Sequence, residues 1–483
     1  MKNKNIALIA ICIGLSTISF AQNNTSSPYS TRGYGELESF SNAFTRSLGG
    51  SINGIRTNRS ISFSNPASIG ALKQVSLDFG FRGEQSKIYN AEIAKTVYNG
   101  NFSYFGLAFP VYKKLVVKDT SGGKTDSKLY REYKTIWSLG FGLTPFSNVN
   151  ASYYKIQDTS YGQIGNYYSK SGGLNRVYLM NAVNITPNLS VGLNTSYLFG
   201  QVKSNESYFL FDSGISRASF VENNTQLSGF RFDFGIQGER NRDTIIRKDS
   251  VFENGRMILK TFRYPVRFVY GATLSNNSVI KYNEFRQILN RSNYYTNAAI
   301  DTILSENNIN GNSNLPMSFS AGFSVTFNKY WMIAADYKSD LWSNMDRSIF
   351  KDSFTNSSQI SIGIAYKPDI DISYSEVMTS GKRKARMEYR LGARMLNTGY
   401  LFKDNIGNIN PLKEYGISFG IGIPKTRVTY DGRTKVLLKN MFNITGEYIR
   451  RGNTQNGMIA ENIVRLTIGF TLSDIWFRQR KFY

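Results

Sequence analysis

The feature that most constrains the fold of this chain is an alternation of apolar and polar residues that recurs along most of its length. In the first clear example, Val75, Leu77, Phe79 and Phe81 alternate with Ser76, Asp78, Gly80 and Arg82. Similar runs begin at Trp137, Phe230, Phe319, Ile360, Ile417 and Val464. Because successive side chains of a β-strand point to opposite faces, this period predicts about fourteen or fifteen amphipathic strands.

The residue types on the polar face of these strands distinguish a membrane barrel from a soluble β-sandwich. In a soluble sheet the solvent face typically carries Lys, Glu and Thr, whereas here it is often Gly and Ser. Many of the predicted strands reach about 10 residues, the length of a tilted transmembrane strand, against a usual length of about 5–6. No repeat of the propeller or solenoid kind is visible. We therefore predict an all-β fold, a transmembrane antiparallel β-barrel of about 14 strands.

The connections between the predicted strands are of two kinds. Short turns at 186–188 and 328–329 alternate with long polar stretches at 111–130, 241–255 and 277–314. Bacterial barrels have short periplasmic turns and longer extracellular loops. The sequence therefore predicts short turns at one end of the barrel and these three long loops at the other.

Residues 1–21 have the three-part pattern of a secretory signal peptide. Lys2 and Lys4 precede an apolar run from residue 6 to residue 18, and a small-x-small cleavage site ends at Ala21. The single cysteine, Cys12, lies inside this segment, and the chain has no histidine. We therefore predict an exported protein whose mature chain contains neither Cys nor His, has no disulfide, no metal site and no cofactor, and is not an enzyme.

The charge of the chain is strongly positive, with 58 Lys and Arg against 34 Asp and Glu and a formal net charge of +24. A basic balance attracts either nucleic acid or an anionic membrane surface. Since export removes nucleic acid as a partner, we expect the lipids and lipopolysaccharide of the outer membrane to be the counterpart of this charge. The basic cluster at 382–386 is interpreted as a solvated loop.

The stretch before the first predicted strand, residues 22–72, is small, polar and Gly-rich and does not alternate. It ends near Asn65, Pro66 and Ala67, where Pro66 favours an extended conformation at Asn65. This motif and its position resemble the N-terminal hatch of the FadL/TodX outer-membrane transport family, in which Asn-Pro-Ala precedes the first strand. We predict a signal peptide at 1–21, a hatch or plug in the lumen at 22–72, and a transmembrane barrel at 73–483.

Segments 171–178, 188–192 and 197–200 are also similar to this family. The aromatic end of the chain, with Trp476, Phe477, Phe482 and Tyr483, resembles the signal by which outer-membrane barrels are recognised for assembly. The resemblance implies a plugged barrel in the outer membrane that passively transports hydrophobic molecules, such as long-chain fatty acids or aromatic compounds. It also implies sideways release of the ligand through the wall beside a kinked strand. No pocket or gate motif matches, so the ligand-binding residues stay unknown.

Two other functions remain open at this point. The chain could be a non-transporting barrel with a permanently closed plug that serves as a subunit of a larger complex with other outer-membrane proteins. It could also be a general diffusion porin. Strand glycines either permit a kink in the wall or make room for the plug, and we favour the second role. The glycines in question are Gly140, Gly142, Gly416, Gly420 and Gly422.

Overall fold

A computed structural model describes most of the chain. The described residues are 27–50, 53–119, 129–160, 162–210, 218–253, 256–291, 299–345, 354–368, 386–403, 406–431, 434–455 and 458–476. The predicted signal peptide with Cys12, the cluster at 382–385 and the terminal residues 477–483 lie outside these ranges. No helix in the described part of the chain is long and apolar enough to cross a membrane.

The N-terminal part contains four short elements: a 3-10 helix Pro28–Thr31, β1 (Glu36–Leu37), α1 (Ala43–Arg46) and a 3-10 helix Pro66–Ala71. Sixteen further strands follow: β2 (Val75–Tyr89), β3 (Ala94–Asp119), β4 (Leu129–Thr159), β5 (Gly162–Thr186), β6 (Leu189–Leu210), β7 (Ala218–Glu253), β8 (Arg256–Ser275), β9 (Ser278–Arg291), β10 (Ala299–Leu315), β11 (Ser318–Phe327), β12 (Trp331–Asp340), β13 (Ser357–Tyr366), β14 (Glu388–Lys403), β15 (Ile409–Asp431), β16 (Thr434–Gly452) and β17 (Ala460–Asp474).

Fourteen of these strands form a closed antiparallel barrel. The barrel closes where β17 pairs with β2, from Asp474 opposite Val75 to Ala460 opposite Tyr89. Strands β9 and β10 are not part of the ring, because β8 pairs directly with β11 and the β9–β10 hairpin extends the upper part of β7. The prediction of an all-β barrel with about 14 strands is confirmed.

The alternation places apolar side chains outside and polar ones inside. On β13, Ile360, Ile362 and Ile364 are exposed on the outer face, whereas Ser361 between them is 1% exposed. Strands β11, β12 and β13 each have 10 residues, which is the span that a tilted strand needs to cross the hydrocarbon layer. This apolar-out, polar-in arrangement is that of a transmembrane barrel.

We call the end of the barrel that carries Leu72 and the turns at 187–188 and 328–330 the lower end, and the opposite end the upper end. The prediction of three long loops was wrong. Residues 111–119 and 129–130 belong to the β3–β4 hairpin, 241–253 belong to β7, and most of 278–314 forms the β9–β10 hairpin.

The assignment of these stretches to the end opposite the short turns was also wrong for the first two, whereas the third, the β9–β10 hairpin, does lie at the upper end. The hairpins β3–β4 and β7–β8 extend from the lower end, which also carries the short turn at 187–188. A strand that continues beyond the membrane has no apolar face to bury, so it carries polar residues that look like a loop in the sequence while its backbone remains paired.

Candidate functional site

The N-terminal segment, residues 27–72, runs through the lumen from the upper to the lower end. At the upper end, Ser27 Oγ donates a hydrogen bond of 2.6 Å to Glu461 Oε1 at the start of β17. At the lower end, Thr135 Oγ1 donates to Leu72 O at 2.8 Å. The segment therefore contacts the inner wall over the full height of the barrel.

The centre of the segment is held by α1 and its N-cap residue Asn42. The Asn42 side chain accepts from Thr45 N at 2.9 Å, and its Nδ2 donates to Asp78 Oδ2 on β2 at 2.8 Å. On the opposite side, Thr445 Oγ1 of β16 donates to Ala43 O at 2.7 Å. An N-cap usually satisfies only its own helix, whereas this one also ties the short helix to the wall.

A buried network of ion pairs surrounds this central part. Arg451 on β16 contacts three carboxylates: Glu36 of the N-terminal segment at 2.6 Å, Glu414 at 2.9 Å and Glu461 at 3.1 Å. Other members of the network, all largely buried, are Glu38, Arg46, Arg82, Glu84, Arg394, Glu447 and Arg465. Because both segment and wall contribute charges, removing either side would leave buried charges without partners.

Glu38 is the acid of the segment with the most direct partner. Both nitrogens of the Arg82 guanidinium donate to its carboxylate, at 2.5 and 2.6 Å, and Asn148 Nδ2 donates at 2.7 Å. Burial alone would raise the pKa of Glu38, but the charge and hydrogen bonds of Arg82 outweigh burial and hold the pKa well below its usual range. Glu38 is therefore a fixed negative charge in the lumen.

Asn65, Pro66 and Ala67 lie at the lower end, against β6, β7 and β8. The Asn65 side chain accepts from Ala67 N at 3.0 Å and so caps the 3-10 helix that begins at Pro66. Its Nδ2 donates across to two wall carbonyls, Ile236 O at 2.9 Å and Ala272 O at 3.4 Å. One side chain therefore caps the helix and attaches it to two strands.

The wall positions directly opposite this motif are occupied by glycines, Gly192 and Gly235. A Cβ added at Gly192 would lie 2.5 Å from the backbone of Pro66 and Ala67, and one at Gly235 would lie 2.8 Å from Pro66 Cδ. Among the glycines considered in the sequence, Gly420 faces Ser47 and Gly140 lies near Ile69, whereas Gly142, Gly416 and Gly422 meet wall side chains. Several wall glycines thus make room for the N-terminal segment.

We expect Asn65→Ala to loosen the lower end of the segment. The substitution removes the cap and leaves the carbonyl of Ile236 without its side-chain donor, at a combined cost of about 1–3 kcal/mol. The measurement is urea unfolding in detergent, followed by tryptophan fluorescence. Asn65→Asp keeps the capping oxygen and loses the donor, so it should fall between the wild type and the Ala variant. An unchanged midpoint for Asn65→Ala would contradict this role.

The wall is not continuously paired around its upper half. Strands β3 and β4 pair from Asp119 opposite Leu129 up to Phe105 opposite Leu143. Above that point, β3 pairs with β2 and β4 pairs with β5, and within the described residues 94–119 and 129–159 no further β3–β4 pair is formed. This split between β3 and β4 is the one break of its kind in the pairing of the ring as described.

At the split, β4 bends inward and pairs with the N-terminal segment instead. The β4–β5 register shifts between Pro145 and Ser147, and Phe146 is buried. Strand β1 lies along this edge, with Leu37 opposite Ser147, and Glu38 N donates to Phe146 O at 2.9 Å. A bulge that redirects a strand in this way is a recognised device beside functional sites.

A cavity of about 200 Å³ lies inside the barrel beside this bend. Its lining mixes apolar groups, among them Leu37, Phe40, Phe146 and Leu396, with members of the ion-pair network. Arg176 stacks between two of the rings, with its guanidinium carbon 4.3 Å from the Phe40 centroid and 4.8 Å from the Phe146 centroid. The volume is below the roughly 300–1,000 Å³ of common ligand pockets.

A second, larger cavity of about 890 Å³ lies at the lower end, below the N-terminal segment. Its lining includes the turn residues Pro187, Asn188 and Lys329 together with Arg56 and Arg59 of the segment. We call it the lower vestibule. In the described part of the chain no group of three or more His, Cys, Asp or Glu residues is arranged to hold a metal ion.

Asn65, Pro66 and Ala67 lie ahead of β2, the first wall strand, and their role as a hatch motif stays a prediction. The sequence did not indicate the ion-pair network or the split in the wall. The sequence does contain a pattern that could have indicated the network. Arg82, Glu84, Glu447, Arg451 and Arg465 occupy the inward positions of alternating strands, where lumen-facing charge is unusual unless it is paired.

Solved structures of other proteins show the same fold. A FadL homologue from Pseudomonas aeruginosa matches with a TM-score of 0.50 and 10% identity, over 90% of this chain and 99% of that one. The toluene transporter TodX from P. putida matches with a TM-score of 0.49 and 14% identity, over 92% and 100% of the two chains. At this identity the likeness to the FadL homologue concerns the fold alone, and it agrees with the predicted resemblance to a distant FadL/TodX-type barrel.

No curated protein sequence matches the chain. A family model does match it, over residues 1–118 and 133–483, and its description is BamG. These ranges include the N-terminal segment and the strands of the ring, except the last residue of β3 and the first four of β4. On this match the chain belongs to the BamG family.

Proposed function

We propose that this protein is a passive outer-membrane channel for hydrophobic small molecules, with the N-terminal segment as its plug and the split between β3 and β4 as its exit. The observation that carries the proposal is the end of the β3–β4 ladder at Phe105 and Leu143, close along β4 to Phe146, which lines the internal cavity. The lower end would then face the periplasm.

The physical reason for a sideways exit is the cost of returning an apolar solute to water. Each buried methylene is worth about 0.8 kcal/mol, so a hydrophobic molecule that leaves between two strands enters lipid without losing that stabilisation. An open, water-filled lumen offers an apolar solute no such stabilisation. A general diffusion porin would also need the lumen that residues 27–72 occupy, so this alternative is disfavoured.

Transport requires the N-terminal segment to shift. The cavity of about 200 Å³ is small for a fatty acid or an aromatic ligand, and its exit is covered by β1, whose Leu37 pairs with Ser147. Movement of β1 away from β4 would both enlarge the cavity and uncover the split. The chemical class we propose for the ligand is a largely apolar molecule of fatty-acid or monoaromatic type.

The proposal is tested by uptake of a labelled long-chain fatty acid and of labelled toluene by cells with and without the protein. We expect the wild type to increase uptake several-fold. Leu396→Trp, which places a larger ring in the cavity, should reduce the gain, because Leu396 lines it. Leu391→Trp on the lipid-facing side of the same strand is the matched control. Equal uptake of both compounds with and without the protein would contradict transport.

The second candidate is a permanently closed barrel that acts as a subunit of a larger outer-membrane complex. The specific observation in its favour is the ion-pair network, in which Arg451 joins Glu36 of the segment to two wall carboxylates. Moving the segment would separate these buried charges. Equal uptake, together with recovery of the protein in one complex with other outer-membrane proteins after gentle solubilisation, would favour this candidate.

A further inference from the structure

The lower vestibule is strongly basic. Its lining contains eight Lys and Arg residues and two acids. The basic residues are Arg56, Arg59, Lys73, Lys134, Arg267, Lys329, Lys367 and Lys439, and the acids are Glu239 and Glu388. The proposed channel for apolar molecules does not use this charge.

Both acids of the vestibule already have more than one cationic partner. Glu239 contacts Arg267, and Arg56 at 3.6 Å. Glu388 lies 3.0 Å from Arg390 and 3.4 Å from Lys439. The described lining therefore has eight cationic side chains against two carboxylates, a positive surplus of charge.

The basic residues of the vestibule come from several strands around the opening. Lys134 comes from β4, Arg267 from β8, Lys329 from the turn after β11, and Lys439 from β16. Lys367 follows β13, and its Nζ lies 5.2 Å from the centroid of Phe44 on α1, at the top of the vestibule. A ring of charges around a concave site suits an extended ligand with several negative groups better than one small ion.

We propose that the lower vestibule binds an acidic polypeptide segment, a stretch rich in Asp and Glu from a partner protein. The vestibule lies inside the end of the barrel and is closed above by the N-terminal segment. A flat lipid surface therefore cannot reach its lining, whereas a chain can enter. Clefts lined by charge of one sign focus the field and raise the local concentration of ligands of opposite charge.

The test uses the purified full-length mature protein in neutral detergent and a fluorescently labelled octamer of Glu, with an octamer of Gln as the uncharged probe. Binding is followed by fluorescence anisotropy. We expect the Glu peptide to bind at least about tenfold more tightly than the Gln peptide. We also expect this preference to weaken as ionic strength rises from about 0.01 M to 1 M, where the Debye length falls from about 30 to 3 Å.

The decisive variant is Lys134→Gln combined with Lys367→Gln, which removes two charges from the vestibule. Its matched control is Lys87→Gln combined with Lys95→Gln, which removes two charges from the exposed upper ends of β2 and β3. The vestibule variant should weaken Glu-peptide binding about tenfold and the control should not. Unchanged urea midpoints for both show that the difference is not caused by unfolding.

Four outcomes would overturn the proposal. Equal affinity for the Glu and Gln peptides would show that charge is not recognised. Equal weakening by both double variants would show that only the overall charge matters. Full displacement of the peptide by a few millimolar inorganic phosphate, or binding to phosphatidylglycerol vesicles that the vestibule variant abolishes, would assign the site to phosphate or lipid instead of polypeptide.

Discussion

Replacement of Arg451 by Met is expected to lower the stability of the barrel more than any other single change in the lumen. The substitution leaves Glu36, Glu414 and Glu461, which Arg451 contacts at 2.6–3.1 Å, without their common cation. Breaking a buried ion pair by removing one partner costs about 3–5 kcal/mol. The measurement is urea unfolding in detergent, followed by tryptophan fluorescence, with heat modifiability on gels as a second probe.

The matched control is the neighbouring residue. Arg450 is exposed on the outer side of the same strand, so Arg450→Met should change the free energy of unfolding by no more than about 0.5 kcal/mol. The cause is tested by adding Glu461→Gln to the Arg451→Met variant. If uncompensated carboxylates are responsible, removing one of them restores part of the lost stability. Equal unfolding midpoints for the Arg450 and Arg451 variants would contradict this account.

The behaviour of the N-terminal segment in the Arg451→Met variant distinguishes the two candidate functions. Glu36 loses its closest cation, although Arg465 Nη2 remains 3.6 Å away. The contacts of a movable plug must break and re-form at a low cost in free energy, whereas those of a permanent plug must stay formed. If Arg451→Met increases uptake of apolar compounds while the barrel stays folded, the network restrains a movable plug, as in the proposed channel.

The wall of the barrel was predictable because one physical rule determines every strand that crosses the membrane. Lipid outside and a polar lumen inside force alternation on those strands, and Ile360, Ser361 and Ile362 show the result directly. The place of Asn65, Pro66 and Ala67 ahead of the first wall strand was also predictable, since a non-alternating stretch cannot be part of such a wall.

The contacts within the lumen were not predictable from one sequence. Glu36 and Arg451 are 415 residues apart in the sequence. No local sequence pattern indicates which inward-facing charges of a closed barrel contact one another. The paired hairpins beyond the membrane were missed for a different reason, because polar strands in water lack the alternation that identifies the others. The split between β3 and β4 lies beside a register shift between Pro145 and Ser147, and a proline in the sequence indicates only an irregularity.

Valine at Gly192 and Gly235 together is expected to detach the lower end of the N-terminal segment from the wall. A Cβ at Gly192 would lie 2.5 Å from the backbone of Pro66 and Ala67, and a Cβ at Gly235 would meet Asn65 and Pro66. Overpacking of this kind costs about 1–3 kcal/mol at each site. Valine favours strands, so the wall itself should persist and the segment should be the part that moves.

Limited digestion with trypsin measures the effect, because Arg56 and Arg59 lie in this part of the segment and are cleaved only when it leaves the wall. We expect cleavage after these residues to accelerate at least about tenfold, since about 1.4 kcal/mol corresponds to a factor of ten in the exposed population. Gly446→Val is the control, because a Cβ there meets nothing within 4 Å. Equal digestion rates for the double variant and the control would show that the glycines do not hold the segment.

The same experiment separates the two candidate functions. In a channel with a movable plug, the segment and the wall are distinct cooperative units, so the double variant should release the segment while the urea midpoint of the wall changes little. In a permanently closed barrel, the ion pairs that Glu36, Glu38 and Arg46 form with the wall make the segment part of the folded core. Cleavage and wall unfolding would then increase together, and a channel gated by this segment would be the wrong description of the protein.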